Sequence, residues 1–169
     1  MSIANGEFSL KQRIDVIKSF CAASNIELLQ VKEVKSISFV EFDVLINSQE
    51  YRLYLYLKNI VNSGWSNKPH IKRIQIKALN DIPENKDGNL CALVGICNGT
   101  NGPIVAFWNP FLYTFHKKNR SGYLLAEHLE EADEYGYLET EYADKKIIVS
   151  SSTYFSKLLT RYIEKNYID

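Results

Sequence analysis

Arg73, Gln75 and Lys77 alternate with Ile74 and Ile76. On a β-strand that period of two sends three polar side chains to one face and two aliphatic ones into a core. Guanidinium and amide groups pair bidentately with base edges, and an ammonium holds a phosphate, so such a row suits nucleic-acid recognition. A second row, Arg52, Tyr54, Tyr56 and Lys58, repeats the pattern. Both lie in a segment, Tyr51 to Asn80, with six cations (Arg52, Lys58, Lys68, Lys72, Arg73 and Lys77) and no Asp or Glu. Set side by side, the two rows would form a continuous donor-rich face for DNA: Arg52, Lys58, Lys68, Lys72 and Lys77 on phosphates, Arg73 and Gln75 on base edges. Trp65, among Gly, Ser, Asn and Lys, and Trp108 offer stacking surfaces for bases. Lys117, Lys118 and Arg120 extend the positive charge in a basic loop. The plain alternative is a solvated sheet face, with Trp65 packed over a hairpin edge.

The same residues permit a hydrolytic reading. Nucleases of the PD-(D/E)xK type place an acid on one strand and an acid-x-Lys on the next to bind a metal and activate water. Asp43 with Gln75-Ile76-Lys77 mimics that arrangement, and magnesium would be its cofactor. Gln75 is a poor ligand for a hard cation, so Glu41 or Asp15 would have to supply the missing carboxylate. Without that chemistry no cofactor or metal is expected. His70, His116 and His128 stand alone, without the partners of an HNH motif. Ser150-Ser151-Ser152 lacks a nucleophile elbow and suits helix capping. Asn98-Gly99-Thr100-Asn101-Gly102 has no following helix and Lys-Ser/Thr, which makes it a hairpin turn and not a phosphate loop.

The acids are segregated as well. Glu127, Glu130, Glu131, Asp133, Glu134, Glu139, Glu141 and Asp144 fall in a stretch without Lys or Arg, so a formal net charge of zero conceals two opposite patches. The acidic run lacks a calcium-loop pattern. A third reading follows from it: an adaptor that docks a basic partner, or a homodimer joining the acidic surface to the basic one.

At 169 residues, with 46% apolar content, the chain is long enough to bury a core as a single domain, residues 1–169. Cys21, Cys91 and Cys97 are odd in number and lack ligand spacing, which predicts reduced core thiols. No secretory leader or membrane span is evident, so a soluble, cytoplasmic protein without a membrane partner is expected.

The elements that must position these residues are legible in outline. Ser9 and Gln12 form a capping-box pattern before Leu10, Ile14, Ile17, Phe20 and Cys21, predicting a helix over 9–23. Strands follow at about 27–35, at Val40 to Ile46 and at Tyr51 to Leu57, the last two joined as an antiparallel hairpin by Asn47-Ser48-Gln49-Glu50. Lys72 to Lys77 is another strand, and Leu90 to Cys97 with Ile104 to Trp108 a second hairpin, so the sheet occupies about 27–109. Residues 121–165 read as helix, strand, helix: Ser121 caps a helix that Gly136 stops, Lys146 to Ser150 is a strand, and Thr153 to Lys165 an amphipathic helix. The class is α+β: an antiparallel or mixed sheet with an N-terminal helix and two C-terminal helices.

From Tyr51 onward the chain resembles the methylase-associated accessory domain of prokaryotic restriction-modification endonucleases. The resemblance rests on the strand Tyr51-Arg52-Leu53-Tyr54-Leu55-Tyr56-Leu57, a Gly-containing loop, the run Arg73-Ile74-Gln75-Ile76, and the hairpin into Ile104-Val105-Ala106-Phe107-Trp108-Asn109-Pro110. Arg120-Ser121, the strand Ile147-Ile148-Val149 and a closing Phe155-x-x-x-Leu159 helix follow in the same order. It implies DNA recognition in host defence, with sensing of a sequence or a modified base, cleavage left to a separate domain, and a nuclease or methyltransferase subunit or domain as a partner. The Arg-x-Gln strand of that pattern maps onto Arg73 and Gln75, and its aromatic strand onto Phe107 and Trp108.

Overall fold

The computed structural model describes residues 8–34, 39–77, 82–84, 87–112 and 120–168. Lys117 and Lys118 lie outside them. Helix α1 (Leu10–Ala23) starts with a reciprocal box, in which the Gln12 amide donates to Ser9 Oγ at 3.2 Å and the Ser9 amide to Gln12 Oε1 at 2.8 Å. It buries Val16, Ile17, Phe20 and Cys21.

Strands β1 (Glu27–Val34), β2 (Phe39–Ile46) and β3 (Gln49–Asn59) form an antiparallel meander. Its second turn puts Asn47 and Ser48 at positive φ, the two-residue turn whose twist matches the strands. After β3 come the two-residue β4 (Val61–Asn62) and β5 (Ile71–Ile76), then the hairpin β6 (Asn89–Gly99) and β7 (Gly102–Trp108). β8 (Arg120–Leu125) leads into α2 (Ala126–Tyr135), followed by the hairpin β9 (Tyr137–Tyr142) and β10 (Lys145–Ser150), and α3 (Phe155–Ile168).

The architecture is α+β, with a large sheet in the order β1-β2-β3-β6-β7-β10-β9 and a small one in the order β4-β5-β8. All pairs are antiparallel except β3 with β6. Parallel neighbours need a crossover connection. Here the crossover is the chain between Asn59 and Asn89, and it carries β4 and β5 onto one face of the large sheet.

Two apolar layers result. On one face α1 and α3 bury Phe42, Val44, Leu53, Leu55, Val94 and Phe107 with Phe155, Leu158 and Leu159. On the other, the small sheet and α2 cover Tyr56, Leu93, Ala106, Trp108 and Val149 with Ile74, Ile76, Leu124 and Leu129. Each such aliphatic side chain removed from water contributes about 1.5–3 kcal/mol. The three cysteines are buried free thiols, and burial pushes Cys21 and Cys97 up to about 12.

The sequence reading needs correction at the C-terminal third. Ser121 belongs to β8, opposite Gln75, and the helix begins after Leu125 with His128 as its cap: the Leu125 amide donates to His128 Nδ1 at 3.1 Å. Gly136 does stop α2, in the left-handed conformation at φ 88°. The expected helix-strand-helix of 121–165 is strand, helix, two strands and helix, because β9 pairs with β10 through a turn at Ala143–Asp144.

Candidate nucleic-acid interface

Arg73, Gln75 and Lys77 alternate outward from β5 while Ile74 and Ile76 are buried against the large sheet. Their outer face is widened by β8, where Tyr123 stands opposite Arg73 and Ser121 opposite Gln75. The loop after β4 folds onto this face. Trp65 stacks on Tyr123 with centroids 5.2 Å apart and planes 17° from parallel, and Tyr142 continues the aromatic row at 6.2 Å from Tyr123. Lys68 Nζ lies 5.3 Å from the Trp65 ring centre, within cation–π range.

Backbone bonds fix the loop: the Lys68 amide donates to Trp65 O at 3.0 Å, and the Ser63 amide to Ile71 O at 3.1 Å. A Cβ on Gly64 would sit 3.6 Å from Arg73 Nη2, so the loop closes over the half-buried guanidinium. Among the described residues Arg73 Nε is buried without a hydrogen-bond partner, which is uncommon in folded proteins.

The two polar rows do not share a sheet. Arg52, Tyr54, Tyr56 and Lys58 project from β3 in the large sheet, and Arg73, Gln75 and Lys77 from β5 in the small one. They meet only at one end, where the Lys77 amide donates to Tyr56 Oη at 3.5 Å. At the other end Arg52 is occupied. Its Nε lies 2.9 Å from Asp43 Oδ1 and 3.5 Å from Glu41 Oε2, and both acids are nearly buried on β2. Arg52 therefore neutralises two carboxylates of its own sheet, and its expected place among the phosphate contacts does not hold.

Three further assignments change. Trp108 is 1% exposed, with Nε1 donating to Tyr123 O at 3.4 Å and the β8 backbone at Gly122 lying directly against its ring, so it is a core residue and no stacking platform. Lys72 follows the inward alternation of Ile74 and Ile76, and its ammonium donates to Asn62 Oδ1 at 2.5 Å. Arg120 opens β8 opposite Ile76, on the alternation that carries Gly122 and Leu124 inward, and is half-buried. Lys58, Lys68, Arg73 and Lys77 have no carboxylate partner among the described residues.

The residues of the hydrolytic reading are held apart or engaged. Asp43 lies opposite Arg52, whereas Lys77 reaches β3 at Tyr56, four residues or about 13 Å further along the strand. Glu41 is bound to Arg52, and Asp15 is exposed on α1, across the large sheet from β5. Among the described residues no group of three His, Cys, Asp or Glu side chains is placed to hold a metal ion.

The acidic run is partly consumed in structure. Asp133 accepts from the Thr100 amide at 3.0 Å and from its hydroxyl, tying α2 to the β6–β7 turn. Glu139 takes Arg161 at 3.0 Å and Lys165 at 2.8 Å, and the Arg161 bonds hold its carboxyl down at about 2. Tyr123 and Ser121 are site residues that sequence reasoning missed. Their signal was present in the alternation Ser121, Tyr123, Leu125 against Gly122, Leu124, but the helical spacing that follows overrode it.

The family model described as Methylase-associated X1 matches residues 51–159, from the start of the polar β3 row to the middle of α3. No curated protein and no solved structure matches the chain. No helix among the described residues is long and apolar enough to cross a membrane.

Proposed function

From the premise that the chain belongs to the methylase-associated X1 family, we propose that it is a DNA-recognition module of a restriction-modification or related defence system. It acts beside a methyltransferase or nuclease partner and binds duplex DNA through the outer face of β5 and β8. The observation that carries this reading is the row Arg73, Gln75 and Lys77 beside the Trp65–Tyr123 stack, with no carboxylate partner on its cations among the described residues. Lys68 and Lys77 are suited to phosphates, Gln75 and Arg73 to base edges, and the half-exposed Trp65 to a base or sugar face.

Binding of the pure protein to duplexes with and without base methylation tests it. Low-salt affinity should fall in Q75A and W65A, with Q75A also narrowing the difference between sequences. Trp108 is buried, so the fluorescence change on binding should vanish in W65F. Absence of duplex binding at low salt would overturn the proposal. The nuclease alternative has less support, because Asp43 and Glu41 already serve Arg52.

A further inference from the structure

We propose that β1 is a self-association edge: two copies of this chain pair their β1 strands antiparallel about a two-fold axis, Glu27 of each opposite Lys32 of the other. The large sheet ends in β1 on one side and β9 on the other. The β9 end is covered, since Thr140 Oγ1 lies 3.2 Å from His128 Nε2 on α2 and the Tyr142 ring packs towards Tyr123 on β8. Besides β2, only α1 packs closely on β1 among the described residues, and it lies over one face of the strand, where it shares a core layer with Leu28 and Val31. Along the edge itself the outward backbone groups of β1 have no strand partner among the described residues, and such a row is a template for another strand.

The order of side chains along β1 singles out its own copy as the partner. Leu28 and Val31 face the α1 layer, opposite Val44 and Phe42 of β2. Glu27 and Lys32 stand opposite Leu45 and Glu41, on the other face. The two apolar residues are three apart and still share a face because of a β-bulge, which seats Leu29 and Gln30 together opposite Asp43. Over Glu27 to Lys32 the faces therefore read the same in both directions: away from α1, towards it, away, away, towards it, away. A two-fold copy meets this strand with matching faces at every position, pairing Glu27 with Lys32, Leu28 with Val31, and Leu29 with Gln30.

Charges on an edge strand ordinarily keep a neighbour away. In this register they attract, because each Glu27 meets a Lys32 across the axis, and opposite-charge and apolar cross-strand pairs both stabilise a sheet. The partner's Leu28 and the partner's Val31 extend the α1 core layer across the axis, and Leu29, 45% exposed in the single chain, gains cover. Two-fold registers centred on Lys32 or on Glu33 also keep the faces matched, but each sets a charge against its own copy, which is unfavourable. β1 precedes the family-matched segment, so the interface belongs to this chain's own N-terminal part. It does not rest on the DNA-recognition reading, since β1 and the β5–β8 face lie in different sheets.

Sedimentation velocity of the full chain over a concentration series tests the proposal. The expected result is a monomer–dimer equilibrium that E27K and K32E each weaken about tenfold or more, because each sets like charges opposite across the axis. An equal mixture of E27K and K32E should associate again, since every cross-axis pair in the mixed dimer joins unlike charges. A variant that merely failed to fold could not be rescued in this way. Mild oxidation reads the register: a mixture of E27C and K32C should cross-link, whereas neither should alone, because identical positions lie about 15 Å apart along the paired strands. The three native thiols are buried and do not compete. A monomer at every concentration overturns the proposal, as does a dimer indifferent to E27K and K32E, or a mixture that associates no better than its components. Cross-linking of E27C or K32C alone as readily as the mixture overturns it too.

Discussion

The salt dependence of duplex binding can be worked from the structure. Of the six cations between Tyr51 and Asn80, Arg52 is held by Asp43 and Glu41, and the Lys72 ammonium is hydrogen-bonded to Asn62 on the neighbouring strand. Lys58, Lys68, Arg73 and Lys77 remain. On the β5–β8 face Lys68 and Lys77 take phosphates and Arg73 a base edge, and two neutralised phosphates give a slope of about −1.8 in log K against log salt, a fall of about 12-fold between about 50 and about 200 mM. K77Q should flatten the slope by about 0.9, and R52Q should leave it unchanged. R52Q has a separate signature. It strands Asp43 and Glu41, 7% and 9% exposed, and should lower stability by about 1–2 kcal/mol, a modest loss because the Arg52 side chain is itself half exposed. Fluorescence titration of Trp65 over a salt series reads the slope, and urea unfolding reads the stability. A slope near zero in the native protein, or one that falls in R52Q as much as in K77Q, would refute the division of the cations.

Two other outcomes probe how the site is mounted. G95A puts a Cβ 2.6 Å from Ile60 Cγ1 and 2.8 Å from Ile74 Cγ2, where the small sheet rests on the large one, and should lower stability by about 1–3 kcal/mol in urea unfolding; an unchanged midpoint would contradict this packing. His128 Nδ1 must be unprotonated to accept the Leu125 amide, which leaves the proton on Nε2 for Thr140 Oγ1 at 3.2 Å. Burial lowers its pKa below the ordinary 6.5, against the raising fields of Glu127 and Glu131. The unfolded chain thus binds the proton more readily, and the stability this gives is full above 6.5 and lost as pH falls below it. Thermal unfolding of native protein and H128Q from neutral to mildly acidic pH checks this, since parallel curves would show that His128 is not the titrating group.

What was legible in the sequence follows from how each signal is encoded. The capping box of α1 and the alternation of β2, β3 and β5 are local patterns, and they appear where the residues put them. β9 was hidden because its turn uses Ala143 and Asp144 at positive φ, without the glycine that announces such a turn, and because its acids mimic a solvated helix face. Arg52 was misjudged for a different reason. Its partners lie on the neighbouring strand, and a charge count along the chain cannot see cross-strand pairing.

The parallel pairing of β3 with β6 settles where the acid-free segment goes. Had β3 continued into β5 as an antiparallel neighbour, both polar rows would have lain on one sheet face and Arg52 would have joined them. Parallel pairing instead requires the intervening chain to leave the sheet, cross one face and return. That crossover buries Ile74 and Ile76 downward and turns Arg73, Gln75 and Lys77 upward, onto a second layer that the carboxylates of β2 do not neutralise. Segregation of charge along the sequence thus becomes segregation by layer. Glu41, Asp43 and Arg52 remain paired on the large sheet, while Arg73 and Lys77 stand on the small one beside Trp65, the half-exposed tryptophan of the two.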